Sequence, residues 1–306
     1  MRSLVTGAAG FMGSHLTEKL RSGGDDVVAV DSFTDYYDPD RKRENARDLD
    51  VLDFDLETGD VDRLIGSVDR VFHLAGQPGV RASFGAGFEL YVRRNVLVTA
   101  RVFEAAARDG VRVTYASSSS IYGDAEAYPT PEDAQPRPIS PYGITKLCCE
   151  HLAYAYAHTM GLDAVGLRYF TVYGPRQRPD MAFARLVAAA HSGEEFELYG
   201  DASRSFTYVD DAVAATIRAM DAAPAGAVYN VGGGEEATMR EAIETLERVS
   251  GRAIAVRTRP AARGDARRTA ADVTRIRDEL GWSPTTALDD GLQAQWSGAA
   301  DRVAAR

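Results

Sequence analysis

Arg2-Ser3-Leu4-Val5-Thr6-Gly7-Ala8-Ala9-Gly10-Phe11-Met12-Gly13-Ser14 opens the chain with a short apolar run, three glycines spaced by three, and the start of an amphipathic stretch. The spacing predicts a strand over about 2–6, a tight turn, and a helix over about 12–22. Glycine lets such a turn fold sharply and approach a pyrophosphate, and the helix N-terminus behind it offers N–H donors and a positive dipole. Three glycines alone are a weak signal, because any tight strand–helix turn uses them. Here the next β-rich run ends at Asp31. A carboxylate at that point accepts hydrogen bonds from adenine-ribose hydroxyls and repels a 2′-phosphate, so the pattern selects NAD over NADP.

Outward from this turn, β-rich runs alternate with helical ones. Strands are predicted at about 26–30, 51–54, 70–74, 111–116 and 164–168, with helices over about 91–109 and 141–160. The first of these helices places Val92, Val96, Thr99, Val102, Phe103 and Ala106 at spacings of three and four. This alternation predicts an α/β fold, a doubly wound parallel (Rossmann) sheet. Past residue 170 Gly/Pro/Arg-rich stretches break up shorter elements. The expected division is a NAD-binding domain over 1–170, with about 205–231 returning to it. A smaller, interleaved C-terminal substrate-binding region takes 171–204 and 232–306. The Ala/Arg-rich tail after Trp296 is expected to fray.

Composition excludes several classes. The 306 residues carry Lys+Arg 35 against Asp+Glu 45, a net charge of −10. A phosphate-backbone binder normally has the opposite sign, so nucleic acid is not an expected partner. No apolar run approaches the roughly 18–20 residues of a membrane span, and no signal-peptide pattern precedes the first strand. The 2 cysteines, Cys148 and Cys149, are neighbours, which offers neither a loop-closing disulfide nor a zinc cluster. The expectation is a cytoplasmic protein without a metal.

Tyr142 and Lys146 stand four apart, on one face of the helix expected at 141–160. A lone pair of this kind is common on helix surfaces. Upstream, however, Ser117-Ser118-Ser119-Ser120-Ile121-Tyr122-Gly123 follows a strand directly, and the C-terminal strand ends of a doubly wound sheet line its ligand crevice. A phenol, with an ordinary pKa near ~10, is a poor base at neutral pH. A neighbouring ammonium and a cationic nicotinamide favour its phenolate. Lys146 can supply that ammonium, and a serine hydroxyl can bridge to the reacting oxygen.

Together with His73-Leu74-Ala75-Gly76, Ser140-Pro141-Tyr142-Gly143-Ile144-Thr145-Lys146, Leu167-Arg168-Tyr169-Phe170-Thr171-Val172-Tyr173-Gly174-Pro175 and Arg204-Ser205-Phe206-Thr207-Tyr208-Val209-Asp210-Asp211, these motifs make the chain resemble the extended short-chain dehydrogenases/reductases that modify sugar nucleotides. The likeness runs over nearly the full length. It implies Ser118 as the catalytic serine, Tyr142 as base and Lys146 as its partner. It implies a tightly bound, recycled NAD held by Gly7, Gly10, Phe11, Met12, Gly13, Asp31, Ser32, Phe33, Lys42, Asp55, Leu56, Leu74, Ala75, Gly76, Asn95, Tyr142, Lys146 and Tyr169. It also implies a UDP-sugar substrate, touched by Gln77, Arg81, Ser118, Ser119, Ser120, Tyr142, Thr171, Arg178, Arg204, Arg263 and Asp265. Arg204 and Arg263 would clamp its diphosphate, as guanidinium forks do. A homodimer, pairing the helices at about 91–109 and 141–160, is implied too.

Within that group, 4,6-dehydratases carry an Asp-Glu pair beside the catalytic serine, and UDP-glucuronate decarboxylases a Glu at the position of Ser120. This chain has Ser119 and Ser120. The runs Asp31-Ser32-Phe33-Thr34-Asp35-Tyr36-Tyr37-Asp38-Pro39, Gln77-Pro78-Gly79-Val80-Arg81 and Arg178-Pro179-Asp180-Met181-Ala182 resemble the UDP-glucuronate 4-epimerases. A uronate carboxylate taken from water needs a cation and hydroxyl donors. Arg178 with Ser119, Ser120 and Thr171 would supply them, and Arg81 is a further candidate. The plainer reading of Arg178 is a loop arginine paired with Asp180. UDP-glucose 4-epimerase, UDP-glucuronate decarboxylase and a silent NAD-binding module are the competing expectations.

Overall fold

The computed structural model describes residues 1–261 and 264–304. Its first strands and helices follow in order: β1 (Arg2–Thr6), α1 (Phe11–Ser22), β2 (Asp26–Asp31), α2 (Pro39–Asn45), β3 (Val51–Asp53), α3 (Val61–Ile65) and β4 (Arg70–His73). Next come α4 (Phe88–Tyr91), a π-helical stretch (Val92–Leu97), α5 (Val98–Asp109), β5 (Arg112–Ser118), α6 (Pro141–Met160) and β6 (Ala164–Tyr169). After these lie β7 (Thr171–Tyr173), α7 (Ala182–Ser192), β8 (Phe196–Tyr199), β9 (Ser203–Tyr208), α8 (Val209–Ala222) and β10 (Val228–Val231). The last are β11 (Glu235–Thr238), α9 (Met239–Ser250), β12 (Val256–Arg259), β13 (Arg268–Thr269), α10 (Thr274–Leu280) and α11 (Leu288–Ala304).

Seven strands pair in the order β10-β6-β5-β4-β1-β2-β3, every pair parallel. The order reverses at β1, which has β2 on one side and β4 on the other, and a ligand crevice belongs outside the strand ends at that point. Because both faces are covered, successive strand residues are both apolar and both buried. Val5 packs with Leu16, Val213 and Trp282 on the side of α1, α8 and α10, whereas its neighbour Leu4 packs with Val102, Phe103 and Ala153 on the side of α5 and α6.

The smaller region has β9 at its centre, antiparallel to β11 and parallel to β7 and β13, beside a parallel β8–β12 pair. Helices α7, α9 and α11 seal it around Leu186, Leu246, Phe183 and Leu292. The chain thus leaves the large sheet after β6, returns through α8 and β10, and leaves again. β9 belongs wholly to the small sheet, so the return begins at Val209. The tail after Trp296 is helical to Ala304 rather than frayed. Trp296 stacks on His191 at 3.8 Å, and Ala299 packs against the same cluster.

Candidate active site

A cavity of about 450 Å³ opens at the C-terminal ends of β1, β2, β4 and β5. The glycine turn forms its floor. Gly7 sits at φ +70°, and a β-carbon on Gly13 would lie 2.0 Å from the Gly7 carbonyl oxygen, so helix α1 can start this close to β1 only without side chains. Asp31, buried at the end of β2, accepts from the Ala9 amide (3.1 Å) and the Phe33 amide (2.8 Å). Lys42 reaches in from α2, with Nζ 2.9 Å from Thr34 Oγ1 and 3.9 Å from Asp31 Oδ1. Burial lowers the Lys42 pKa against the opposing pull of Asp31. A donor-lined turn with glycine at its points of closest approach, closed by a buried carboxylate, fits the pyrophosphate and adenosine ribose of NAD.

Ser118 is the last residue of β5, and its Oγ accepts from the Ser120 amide at 3.1 Å. Helix α6 begins where it does because Ser140 caps it, accepting from the Gly143 amide at 3.1 Å, with Pro141 in the first turn. That start places Tyr142 and Lys146 one turn apart on the cavity wall. Lys146 Nζ lies 6.0 Å from the Tyr142 ring centre and donates to the Ala116 carbonyl at 2.9 Å. Tyr91 meets the Tyr142 ring edge-on at 6.2 Å.

Most of the expected residues come together here. Gly7, Gly10, Phe11, Met12, Gly13, Asp31, Ser32, Lys42, Asp55, Leu56, Leu74, Ala75, Gly76, Gln77, Ser118, Ser119, Ser120, Tyr142, Lys146, Tyr169, Thr171 and Arg178 all line the cavity. Two expected cofactor residues stand behind the wall. Phe33 contributes its amide to Asp31. Asn95, in the π-helical stretch, accepts from the Gln77 amide (2.7 Å) and donates to the Gln77 carbonyl (3.1 Å) and Thr145 Oγ1 (3.0 Å).

Among the described residues, three expected substrate residues, Arg81, Arg204 and Asp265, are not on this wall. Arg81 donates to Asp265 at 2.8 Å and lies over the Tyr199 ring, so the two occupy each other rather than the cavity. Arg204, on β9, is held by the Ser203 and Ala266 carbonyls at 2.9 and 2.6 Å. Burial lowers its pKa, and among the described residues no carboxylate lies within salt-bridge range of it. Arg263 lies outside the described residues.

The structure adds wall residues that the sequence reading missed, among them Thr34, Tyr36, Tyr37, Glu57, Arg94 and Met181. Tyr36 and Tyr37 had a signal, since the loop after the second strand of a doubly wound sheet faces the crevice. On a chain of net charge −10 the wall gathers Lys42, Arg94, Lys146 and Arg178, a setting for phosphorylated ligands. Its lining carboxylates are Asp31, at the end of β2, and Asp55 and Glu57, just past β3. Arg178 pairs with Asp180 through Nε (3.0 Å) and Nη2 (3.1 Å). Arg178 is thus a loop arginine paired with Asp180 and at the same time a residue of the cavity wall.

Known proteins share this fold. The fold superposes on the UDP-glucuronic acid 4-epimerase of Bacillus cereus, solved with UDP-glucuronic acid and NAD, with a TM-score of 0.95 and 38% identity over 99% of this chain and 100% of that one. MoeE5, solved with NAD and either UDP-glucuronic acid or UDP-glucose, is 40% identical at a TM-score of 0.89, over 99% of this chain and 100% of its own. An uncharacterized UDP-glucose epimerase of Bacillus subtilis strain 168 is 38% identical over 304 residues, 95% of this chain and 96% of its own length. Residues 3–232 match the NAD dependent epimerase/dehydratase family, and the chain belongs to it.

Proposed function

We propose that the chain interconverts UDP-glucuronate and UDP-galacturonate by inverting C4. The observation that carries this reading is the Arg178 guanidinium lining the same cavity as Ser118–Ser120, Tyr142 and Thr171, with Asp180 paired to one of its edges. A neutral hexose has no use for that cation, and removal of water across C5 and C6 would need an acid and a base there. NAD, held by the glycine turn and Asp31, would supply a reversible hydride acceptor for C4, so no net redox would occur.

The chain's own groups do the rest. Tyr142 takes the proton of the C4 hydroxyl while Ser118 hydrogen-bonds the same oxygen. Lys146, anchored on the Ala116 carbonyl, keeps positive charge beside the phenol. The resulting 4-keto sugar turns about its diphosphate linkage, and Tyr142 returns the proton from the opposite face. A 4-keto uronate is a β-keto acid. It loses carbon dioxide when the carboxylate bond aligns with the carbonyl π system, and Arg178 with Ser119, Ser120 and Thr171 holds the carboxylate out of that alignment.

The proposal extends to division of labour and assembly. The large sheet with α8 and β10 holds the cofactor, and the region built on β7–β9 and β11–β13 holds the UDP moiety, with Arg204 serving the diphosphate. Two copies pair through the π-helical stretch with α5 and through α6, with Leu97 exposed on the first and Ile144 and Tyr154 on the second. The free thiols of Cys148 and Cys149 suit a reducing cytoplasm, and among the described residues no helix is long and apolar enough to cross a membrane.

The test is incubation of purified protein with UDP-glucuronate and no added cofactor, followed by NMR of C4 and C6. UDP-galacturonate with its carboxylate retained supports the proposal. A pentose product would install the decarboxylase reading. Turnover of UDP-glucose alone would reduce Arg178 to a structural loop residue.

A further inference from the structure

Arg178 does not stand alone on its loop. Asp180 takes its Nε and Nη2 edge in a two-point pair, and Nη1 is engaged by no described residue. Asp180 Oδ2 also accepts a hydrogen bond from Tyr36 Oη at 3.2 Å, across 144 residues of sequence. Tyr36 belongs to the loop after β2, on the cofactor side, whereas Asp180 precedes α7 on the other.

The position of Tyr36 is itself fixed. Its hydroxyl lies against Gly79, where a β-carbon would be 2.1 Å away and where φ is +96°. Tyr91 Oη binds the Pro78 and Gly79 carbonyls at 2.6 Å each and so secures that backbone. Burial first, then the Asp180 charge, keep the Tyr36 phenol above its ordinary pKa, so it remains a donor. For Arg178, burial works against the charge, but Asp180 outweighs it and raises the pKa.

We propose that Tyr36 is a positioning residue that, through Asp180, sets the plane of the Arg178 guanidinium and hence the angle at which a substrate carboxylate is held. This rests on the uronate reading above. The guanidinium is planar and its carboxylate pairs are directional, so the edge taken by Asp180 dictates where the free edge points. Asp180 also offsets the charge of Arg178. The loop therefore orients a carboxylate more strongly than it attracts one.

The consequence is chemical. In the 4-keto uronate, a carboxylate free to bring its bond into line with the C4 carbonyl π system lets the C5–C6 bond break. Its electron pair passes into a C4–C5 enolate, carbon dioxide leaves, and C5 takes a proton from solvent. The hydride withdrawn earlier then reduces C4, giving a UDP-pentose. Tyr36→Phe should raise the ratio of UDP-pentose to UDP-galacturonate by about tenfold, the effect of losing one hydrogen bond to a charged group, with NAD still bound at one per chain.

Asp180→Asn provides an independent readout, because it leaves the Arg178 charge without its offset. It should lower KM for UDP-glucuronate while also raising the pentose ratio; a merely structural lesion would raise KM. Product ratios come from NMR of the reaction mixture, and NAD content from absorbance after denaturation. If wild type turns over UDP-glucuronate and both variants keep its product ratio, the positioning role is wrong and the epimerase reading stands. If wild type leaves UDP-glucuronate unchanged, both are overturned.

Discussion

His73 closes β4 directly beneath the cofactor wall, and its titration should set an acid limit on the fold. The ring is 2% exposed, with Nδ1 2.9 Å from Thr6 Oγ1 and Nε2 3.1 Å from Thr99 Oγ1. Burial first, then the charge of Lys146, pull its pKa from 6.5 down to about 3. The unfolded chain binds this proton below about 6.5, and the folded chain only below about 3. The stabilisation is therefore complete above pH 6.5 and is lost as pH falls through that interval. At about 1.4 kcal/mol per pH unit the full interval amounts to about 4–5 kcal/mol, a large part of the ~5–15 kcal/mol that holds a typical fold together. Urea unfolding of wild type and His73→Asn, from pH 7.5 to 4.5, isolates the effect because other titrating groups cancel in the difference. Over that range wild type should lose about 3 kcal/mol more than the variant. Parallel pH profiles would refute the neutral buried ring.

Three further outcomes are expected. Tyr142→Phe should lower kcat by about a hundredfold or more while the purified protein still carries NAD, checked by NMR turnover and released-cofactor absorbance. Gly13→Ala, with its methyl driven against the Gly7 carbonyl oxygen, should cost about 1–3 kcal/mol and empty the cofactor site, seen as a lower Tm and loss of bound NAD. Asp31→Ala should leave Lys42 facing the ribose without its counter-charge and shift the NADP to NAD affinity ratio at least tenfold toward NADP, about 1.4 kcal/mol, by titration of cofactor-free protein.

Local signals made much of the site legible. The glycine turn, Asp31, and the Ser140-Pro141 cap that fixes Tyr142 and Lys146 are each short-range patterns, and the structure places them as read. β10 was not legible, because it has four residues and carries Asn230. That buried side chain is accommodated only by the Thr130 and Asp272 carbonyls and Tyr122. Arg81 was misdirected for a similar reason: its partner Asp265 is 184 residues away. The Arg178–Asp180 pair could be anticipated from a spacing of two, but the Tyr36 hydroxyl completing it could not. The early end of β5 is a smaller matter of the same kind. Ser117 and Ser118 read as loop, yet they continue the ladder opposite Arg168 and Tyr169.

The late arrival of β10 has a consequence for synthesis. A nascent chain that has delivered its first 169 residues already contains the glycine turn, Asp31, Tyr142 and Lys146, yet β6 is then an open edge, with unpaired N–H and C=O groups along its length. The strand that covers it ends at Val231, after β7, α7, β8 and β9 have been made. Completion of the cofactor sheet therefore waits on translation of much of the other region. No single cut in the chain separates the two, and they are expected to gain and lose structure together.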